Sequence, residues 1–255
     1  MAHKTLIDGT AYAVKGGRDL IAGTGYAKKQ GKTLIDGTEH AISFGIPLST
    51  ITPGAILYLN ESGSPVPFYI AKHDYESGLN GAGRTLVVRK NCSDSIVYSE
   101  YNDYSYNAYA RSRLDSWLNA TYLKRLDADT QAAISKTKFY YTPGFGSDNT
   151  VTTLQRAVFQ LSLTELGISN SAANTEGNRL PIATTLKIAY ADGKATVQWT
   201  RTPSKDSSND ILGSSARGSI AYLYYSDSFP SRPAFTLPGD LAVIANADGT
   251  YTLAA

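Results

Sequence analysis

Tyrosine carries most of the chemical information in this chain. There are 18 tyrosines beside 7 phenylalanines and 2 tryptophans in 255 residues. Five of them, Tyr98, Tyr101, Tyr104, Tyr106 and Tyr109, share one stretch in which the intervening residues are Ser, Asn, Asp, Glu and Ala. Rigid amphipathic rings interleaved with small, adaptable hydrogen bonders are the chemistry of a recognition surface. A tyrosine face stacks on a sugar ring while Asn and Asp bind its hydroxyls, so a glycan is the natural ligand and a protein surface the next. Tyr222, Tyr224 and Tyr225 repeat the theme near the C-terminus. The candidate ligand contacts are therefore Tyr98, Tyr101, Asn102, Tyr104, Tyr106, Tyr222, Tyr224 and Tyr225.

Other chemistries find little to work with. One cysteine (Cys92) and three histidines (His3, His40, His73) exclude a disulfide framework and any Cys₄ or Cys₂His₂ zinc site. His73-Asp74 has the look of half a hydrolytic triad, but no serine stands in a nucleophile-elbow sequence, and a strand-end histidine is the better reading. Asp127-Ala-Asp129 and the acidic run ending at Asp210 are read as caps and solvated loops rather than calcium ligands. A carboxylate pair for glycoside hydrolysis is a tertiary property, and no local feature favours one. Around Gly31-Lys32-Thr33 a phosphate-binding loop would need a glycine where Tyr26 stands, so the spacing fails by one. The expectation is no enzyme, no cofactor and no bound metal.

Lys plus Arg total 24 against 22 Asp plus Glu, a net charge of +2, which gives no broad footprint for phosphate backbones or anionic lipid. No run approaches the roughly 18 apolar residues of a membrane span, and the opening residues offer no signal-peptide core. Neither nucleic acid nor membrane is expected as a partner.

Residues 4–17, 18–31 and 32–45 are three abutting copies of one 14-residue unit, KTLIDGTAYAVKGG, RDLIAGTGYAKKQG and KTLIDGTEHAISFG. Each reads as a short strand, a turn at Asp-Gly or its equivalent, a second strand and a glycine turn. A unit that short encloses no core, and it must stack on its neighbours, on the rest of the chain or on other subunits. Residues 1–45 are thus expected to form a β-hairpin stem that docks or oligomerises, and residues 46–255 a separate head.

In the head, residues 51–60, 66–73 and 84–89 read as strands. Leu114, Trp117, Leu118 and Tyr122 line one face of a helix for which Ser112 is the N-cap. Asp127 or Asp129 caps a second helix around residues 130–135. Residues 157–163 read as a buried strand running into Ser162-Leu-Thr-Glu165, a capping box ended by Gly167. Further strands are expected at 196–200, 219–225, 234–237 and 241–244. Strands, then helices, then strands with long loops make an α+β fold.

Four strings in this order carry a resemblance: Tyr109-Ala-Arg-Ser-Arg-Leu-Asp-Ser-Trp-Leu-Asn119, Ala157-Val-Phe-Gln-Leu-Ser162 with Glu165, Gln198-Trp199-Thr-Arg201-Thr-Pro203, and Arg232-Pro233-Ala234-Phe235 with Leu237. Together they resemble an uncharacterised C-type-lectin-like domain family of phage tail and prophage proteins of Gram-positive bacteria, over roughly residues 46 to 245. The stem is similar to the short β repeats that precede such domains. Asp115 stands where that pattern has Arg, Gln198 where it has Trp, and Ser231 where it has Val. The resemblance implies a C-type-lectin-like head of antiparallel sheets, two or three short helices and long loops. It makes Tyr109 structural, and Trp117, Trp199, Arg201 and Arg232 are read as core and support. The related formylglycine-generating chemistry needs a pair of reactive cysteines, which Cys92 alone does not supply.

The expected protein is a virion or tail-associated attachment protein, made in the host cytoplasm. Residues 1–45 would bind other virion or tail proteins as a homotrimer, and the non-catalytic head would bind a host cell-surface polysaccharide or protein. The alternative is a purely structural virion component, such as a tail-tip, baseplate or capsid-decoration protein.

Overall fold

A computed structural model of the chain describes residues 45–100, 106–144 and 150–254, together with the backbone of four strands between residues 4 and 42. In the repeat region β1 (Lys4–Ile7) pairs antiparallel with β2 (Thr10–Ala13), and β3 (Gly31–Ile35) with β4 (Thr38–Ile42). The first and third copies therefore each supply a hairpin, as the period predicts. Apart from Gly31 the second copy lies outside the described residues, as do the Asp8-Gly9 and Asp36-Gly37 turns.

The head opens with β5 (Ile46–Pro47), β6 (Ile56–Glu61), β7 (Ser64–Lys72), helix α1 (Ser77–Asn80), β8 (Arg84–Arg89) and β9 (Ser95–Val97). A middle section holds α2 (Arg113–Trp117), α3 (Ala128–Ala133), β10 (Thr137–Tyr141), β11 (Thr152–Arg156), β12 (Val158–Phe159) and α4 (Ala183–Leu186). The last section runs through β13 (Ala189–Ala191), β14 (Lys194–Thr196), β15 (Asp210–Ser214), β16 (Ile220–Tyr224), β17 (Ser228–Pro230), β18 (Ala234–Pro238), β19 (Ala242–Ala245) and β20 (Tyr251–Leu253).

One large sheet has the order β12-β18-β8-β7-β6-β20-β19-β5, antiparallel throughout except for the β6–β20 pair. Four two-stranded ribbons, β9–β17, β10–β11, β13–β14 and β15–β16, surround it. The first strand of the head, β5, closes one edge of this sheet by pairing with β19 of the C-terminal section. Gly45 lies so close to that strand that a Cβ on it would meet the Ala242 Cβ at 2.7 Å. Sheets with a few short helices make this an α+β fold.

Burial follows the residue pattern. In β6, Leu57, Leu59 and Glu61 face inward while their neighbours do not, the alternation of a strand covered on one face. In β8, Thr85, Leu86, Val87 and Val88 are all buried, so this central strand is covered on both faces. An aromatic chain crosses the core: Phe229, Trp199, Tyr98, Tyr109, Phe139, Phe159 and Tyr75, with successive ring centroids 4.6 to 6.5 Å apart. These are edge-to-face and offset contacts, which add to the area each ring buries.

The helices keep their expected caps and are shorter than expected. The Ser112 Oγ accepts from the Asp115 N–H at 2.9 Å, and the Asp127 Oδ1 from the Thr130 N–H at 2.7 Å. Beyond Trp117 the first of these helices continues as a π turn over residues 118–122 and a 3₁₀ turn over 123–125. The capping box also forms, with Ser162 N–H on Glu165 Oε2 at 2.8 Å and Glu165 N–H on Ser162 Oγ at 3.1 Å, but it closes a turn ended by Gly167 at φ +69°, not a helix. The expected strand at 196–200 shortens to β14 plus single bridges, because Trp199 and Arg201 turn into the core.

Gly213 of β15 is the tightest point of the β15–β16 ribbon. A Cβ there would lie 2.3 Å from Leu223 Cδ1 and 2.7 Å from the Gln198 carbonyl oxygen. Overpacking of this kind costs about 1–3 kcal/mol. Gly213→Ala is expected to lose that much stability in a urea titration, with the midpoint falling and the slope unchanged.

Candidate ligand-binding face

The loops around the core are held by a buried ionic cluster. The Arg201 side chain is fully buried; its Nη1 donates to Glu165 Oε2 at 2.7 Å and to the Gln160 carbonyl at 2.8 Å, and its Nε to the Tyr140 carbonyl at 2.9 Å. Glu165 Oε1 accepts from the Tyr75 hydroxyl at 2.5 Å. Glu176, also fully buried, accepts from the Thr142 N–H at 2.5 Å and the Thr202 hydroxyl at 2.6 Å. Burial works against the Arg201 charge, yet Glu165, Tyr75 and Glu176 together hold the guanidinium above its ordinary value. The cation also lies over the Phe139 ring at 4.7 Å.

A second ion pair joins Arg156 to the buried Asp115. Arg156 Nε reaches both Asp115 oxygens, at 2.7 and 3.0 Å. One turn further on, Asn119 Nδ2 donates to the Val158 carbonyl at 2.9 Å, and its Oδ1 accepts from the Ala157 and Val158 N–H groups at 3.2 Å. That amide fixes β12, and with it one edge of the large sheet.

The β15–β16 ribbon presents the tyrosines on this frame. Alternation along β16 sends Tyr222 and Tyr224 outward, 55% and 41% exposed, and Leu223 inward. The Tyr225 ring lies 4.7 Å from Tyr224 and 4.4 Å from Tyr106, the latter pair nearly parallel at 19°. The Tyr222 hydroxyl meets Asn170 Oδ1 at 3.3 Å. The result is a row of rings, Tyr106-Tyr225-Tyr224, beside an outward Tyr222 with an amide at its tip.

The expected contact set is corrected in two places. Tyr98 is fully buried against Trp199 and Tyr109, so it belongs to the core and reaches no ligand. Tyr225 is buried as the middle ring of the row and acts by holding its neighbours. Tyr106, Tyr222 and Tyr224 remain available, while Tyr101, Asn102 and Tyr104 lie outside the described residues. Of the expected core set, Trp199, Arg201 and Arg232 are buried. Trp117 is only half-buried, packed on Tyr122 and covered by the Arg125 guanidinium at 5.3 Å.

Asn170 and the exposed Tyr190 were not legible as surface features, because nothing local distinguishes either from an ordinary turn or strand residue. Glu176 was equally silent, since its role depends on two partners far away in sequence. Among the described residues no cluster of His, Cys, Asp and Glu is arranged to hold a metal ion, and no helix is long and apolar enough to cross a membrane.

Fold and face together define an α+β domain that presents aromatic rings on a short ribbon. Residues 82–239 match the family model described as Domain of unknown function (DUF6273), and the chain belongs to that family. The match runs from the start of β8 to the end of β18, so it takes in the tyrosine ribbon and the buried ionic cluster except for Tyr75. No curated protein and no solved structure matches the chain.

Burial pushes the Glu176 carboxyl from 4.5 up to about 7, against the opposing pull of Arg201 and of its hydrogen bonds. Burial likewise raises Asp115 to about 6 despite Arg156. A folded-state value above the unfolded one means that the folded chain takes up a proton which the unfolded chain does not. The stability this contributes is complete below pH 4.5 and is lost as pH rises through about 7. Unfolding titrations of Glu176→Gln are expected to show a flatter fall in stability between pH 4.5 and 7 than the parent chain, by up to the order of 3 kcal/mol.

Proposed function

We propose that this chain is a non-catalytic attachment protein of a phage particle. Its head is C-type-lectin-like and binds a host surface glycan through the tyrosine ribbon, and its hairpin stem joins it to other virion or tail proteins. The carrying observation is the row of packed rings Tyr106-Tyr225-Tyr224, with the outward Tyr222 beside it and Asn170 at the Tyr222 hydroxyl. Rings already stacked on one another lose little side-chain freedom when a sugar ring settles on them, so little of the binding energy is spent on ordering the site.

The lectin-like reading is supported by the pairing of the head's first strand, β5, with β19 of its C-terminal section and by long connections between short ribbons. The non-catalytic reading is supported by the way the reactive candidates sit. Cys92 is buried, and burial pushes its thiol up to about 11. His73 uses both ring nitrogens, on the Thr85 hydroxyl at 2.9 Å and the Ile51 carbonyl at 2.6 Å. Glu165 and Glu176 are closed off from any substrate. A shallow site of this kind binds weakly, and several heads on one particle multiply its strength through avidity.

The test is retention of the full chain on cell-wall polysaccharide from candidate Gram-positive hosts. Tyr222→Ala and Tyr224→Ala are expected to weaken retention at least about tenfold, roughly 1.4 kcal/mol. Both should leave stability within about 0.5 kcal/mol of the parent, because their rings are exposed. Undiminished retention in the double variant would sink the proposal. Retention on no fraction, with the rings shielded from chemical labelling in an assembled particle, would favour a structural component.

A further inference from the structure

A second concave site shares no residue with the tyrosine ribbon. It is an open cavity of about 410 Å³ between the end of β7, the residues after β8, α4 and the β13–β14 ribbon. Its lining includes Tyr69, Lys90, Asn91, Thr185, Tyr190 and Arg232, and none of the lining residues is acidic.

Arg232 is the buried member of this lining. Three of its five side-chain N–H groups donate to backbone carbonyls: Nε to Arg89 at 2.8 Å, Nη1 to Leu186 at 2.7 Å and Nη2 to Lys90 at 2.8 Å. Two remain, and among the described residues no carboxylate pairs with this guanidinium. The contrast with Arg201 is sharp, since that cation has Glu165 against it. The neighbouring Cys92 offers no countercharge, because burial keeps its thiol protonated. Burial accordingly pulls Arg232 down to about 10, with only Cys92 and Tyr69 acting against it. Carbonyl dipoles alone are poor compensation for a buried cation.

Lys90 brings a second cation to the same cavity, and its ammonium has no hydrogen-bond or ion-pair partner among the described residues. Tyr69 lies under the Arg232 cation at 5.9 Å, and Tyr190 stands 45% exposed at the rim. The size is that of a small-molecule site, and two cations with two rings, two threonine hydroxyls and one amide form a coherent donor set.

We propose that this cavity binds an acidic sugar, with its oxyanion between Arg232 and Lys90 and its ring against Tyr69 and Tyr190. A guanidinium recognises carboxylate and phosphate through the same donor geometry, so a uronic acid and a sugar phosphate present the same chemistry here. The site stands independently of the tyrosine ribbon and of the attachment reading.

The full chain is titrated calorimetrically with glucuronic acid, glucose 6-phosphate, glucose and inorganic phosphate. At least one acidic sugar is expected to bind about tenfold or more tighter than glucose, with affinity falling as salt is raised. The arm that binds more tightly identifies the oxyanion. Lys90→Met and Tyr190→Ala, both on accessible side chains, are each expected to weaken that sugar at least about fivefold. Arg232→Met should abolish binding if it folds, and the other two variants decide the matter if it does not. Tyr222→Ala should leave this binding unchanged, which separates the site from the ribbon. Equal binding of glucose, no binding by either acidic sugar, or unaltered affinity in both Lys90→Met and Tyr190→Ala would overturn the proposal. Inorganic phosphate binding as tightly as the sugars would also overturn it, since the rings would then contribute nothing.

Discussion

A guanidinium sealed from water must be met by charge and by hydrogen-bond acceptors, and at Arg201 both requirements fall on residues far apart in the chain. Its partners come from β10 through the Tyr140 carbonyl, from the segment after β12 through Gln160, and from the capping-box turn through Glu165. Glu165 in turn receives the Tyr75 hydroxyl, which reaches in from the region just before α1. One buried pair therefore fixes where four segments lie. Removing either partner would leave an uncompensated charge in the interior, which costs about 3–5 kcal/mol.

The tyrosine ribbon depends on the same frame less directly. Thr202, adjacent to Arg201, accepts from the Leu163 N–H at 2.9 Å and donates to Glu176, and its carbonyl accepts from the Leu212 N–H of β15. The position of β15 sets that of β16, and alternation along β16 then decides which rings face out. Tyr225 shows how position overrides residue type. It has the same side chain as Tyr224, but it lies on the other side of the strand end, buried between two rings, so it supports the face without forming its surface.

Two arginines of similar burial illustrate two different uses of one side chain. Arg201 is neutralised by a carboxylate and closes the core. Arg232 is held by three carbonyls, with no countercharge from the described residues, at the edge of an open cavity. The difference is one of neighbours and not of sequence pattern, for each arginine stands next to or near a proline in a short motif of similar appearance.

Features set by neighbours in the chain were legible in the sequence. The 14-residue period gave hairpins in the first and third copies, Ser112 and Asp127 cap the helices they were expected to cap, and Ser162 and Glu165 form their capping box. The α+β class and the outward Tyr222 and Tyr224 follow from alternation and propensity, which act over a few residues. Tertiary packing alone decided that Tyr98 is core, that the capping box closes a turn whose Glu165 is spent on Arg201, and that Glu176 is buried between Thr142 and Thr202. It also decided that Lys90, Tyr190 and Arg232 line one cavity. Local hydrogen bonding is written in the spacing of residues, whereas burial and charge compensation depend on which distant segments meet, and this chain brings them together through long connections.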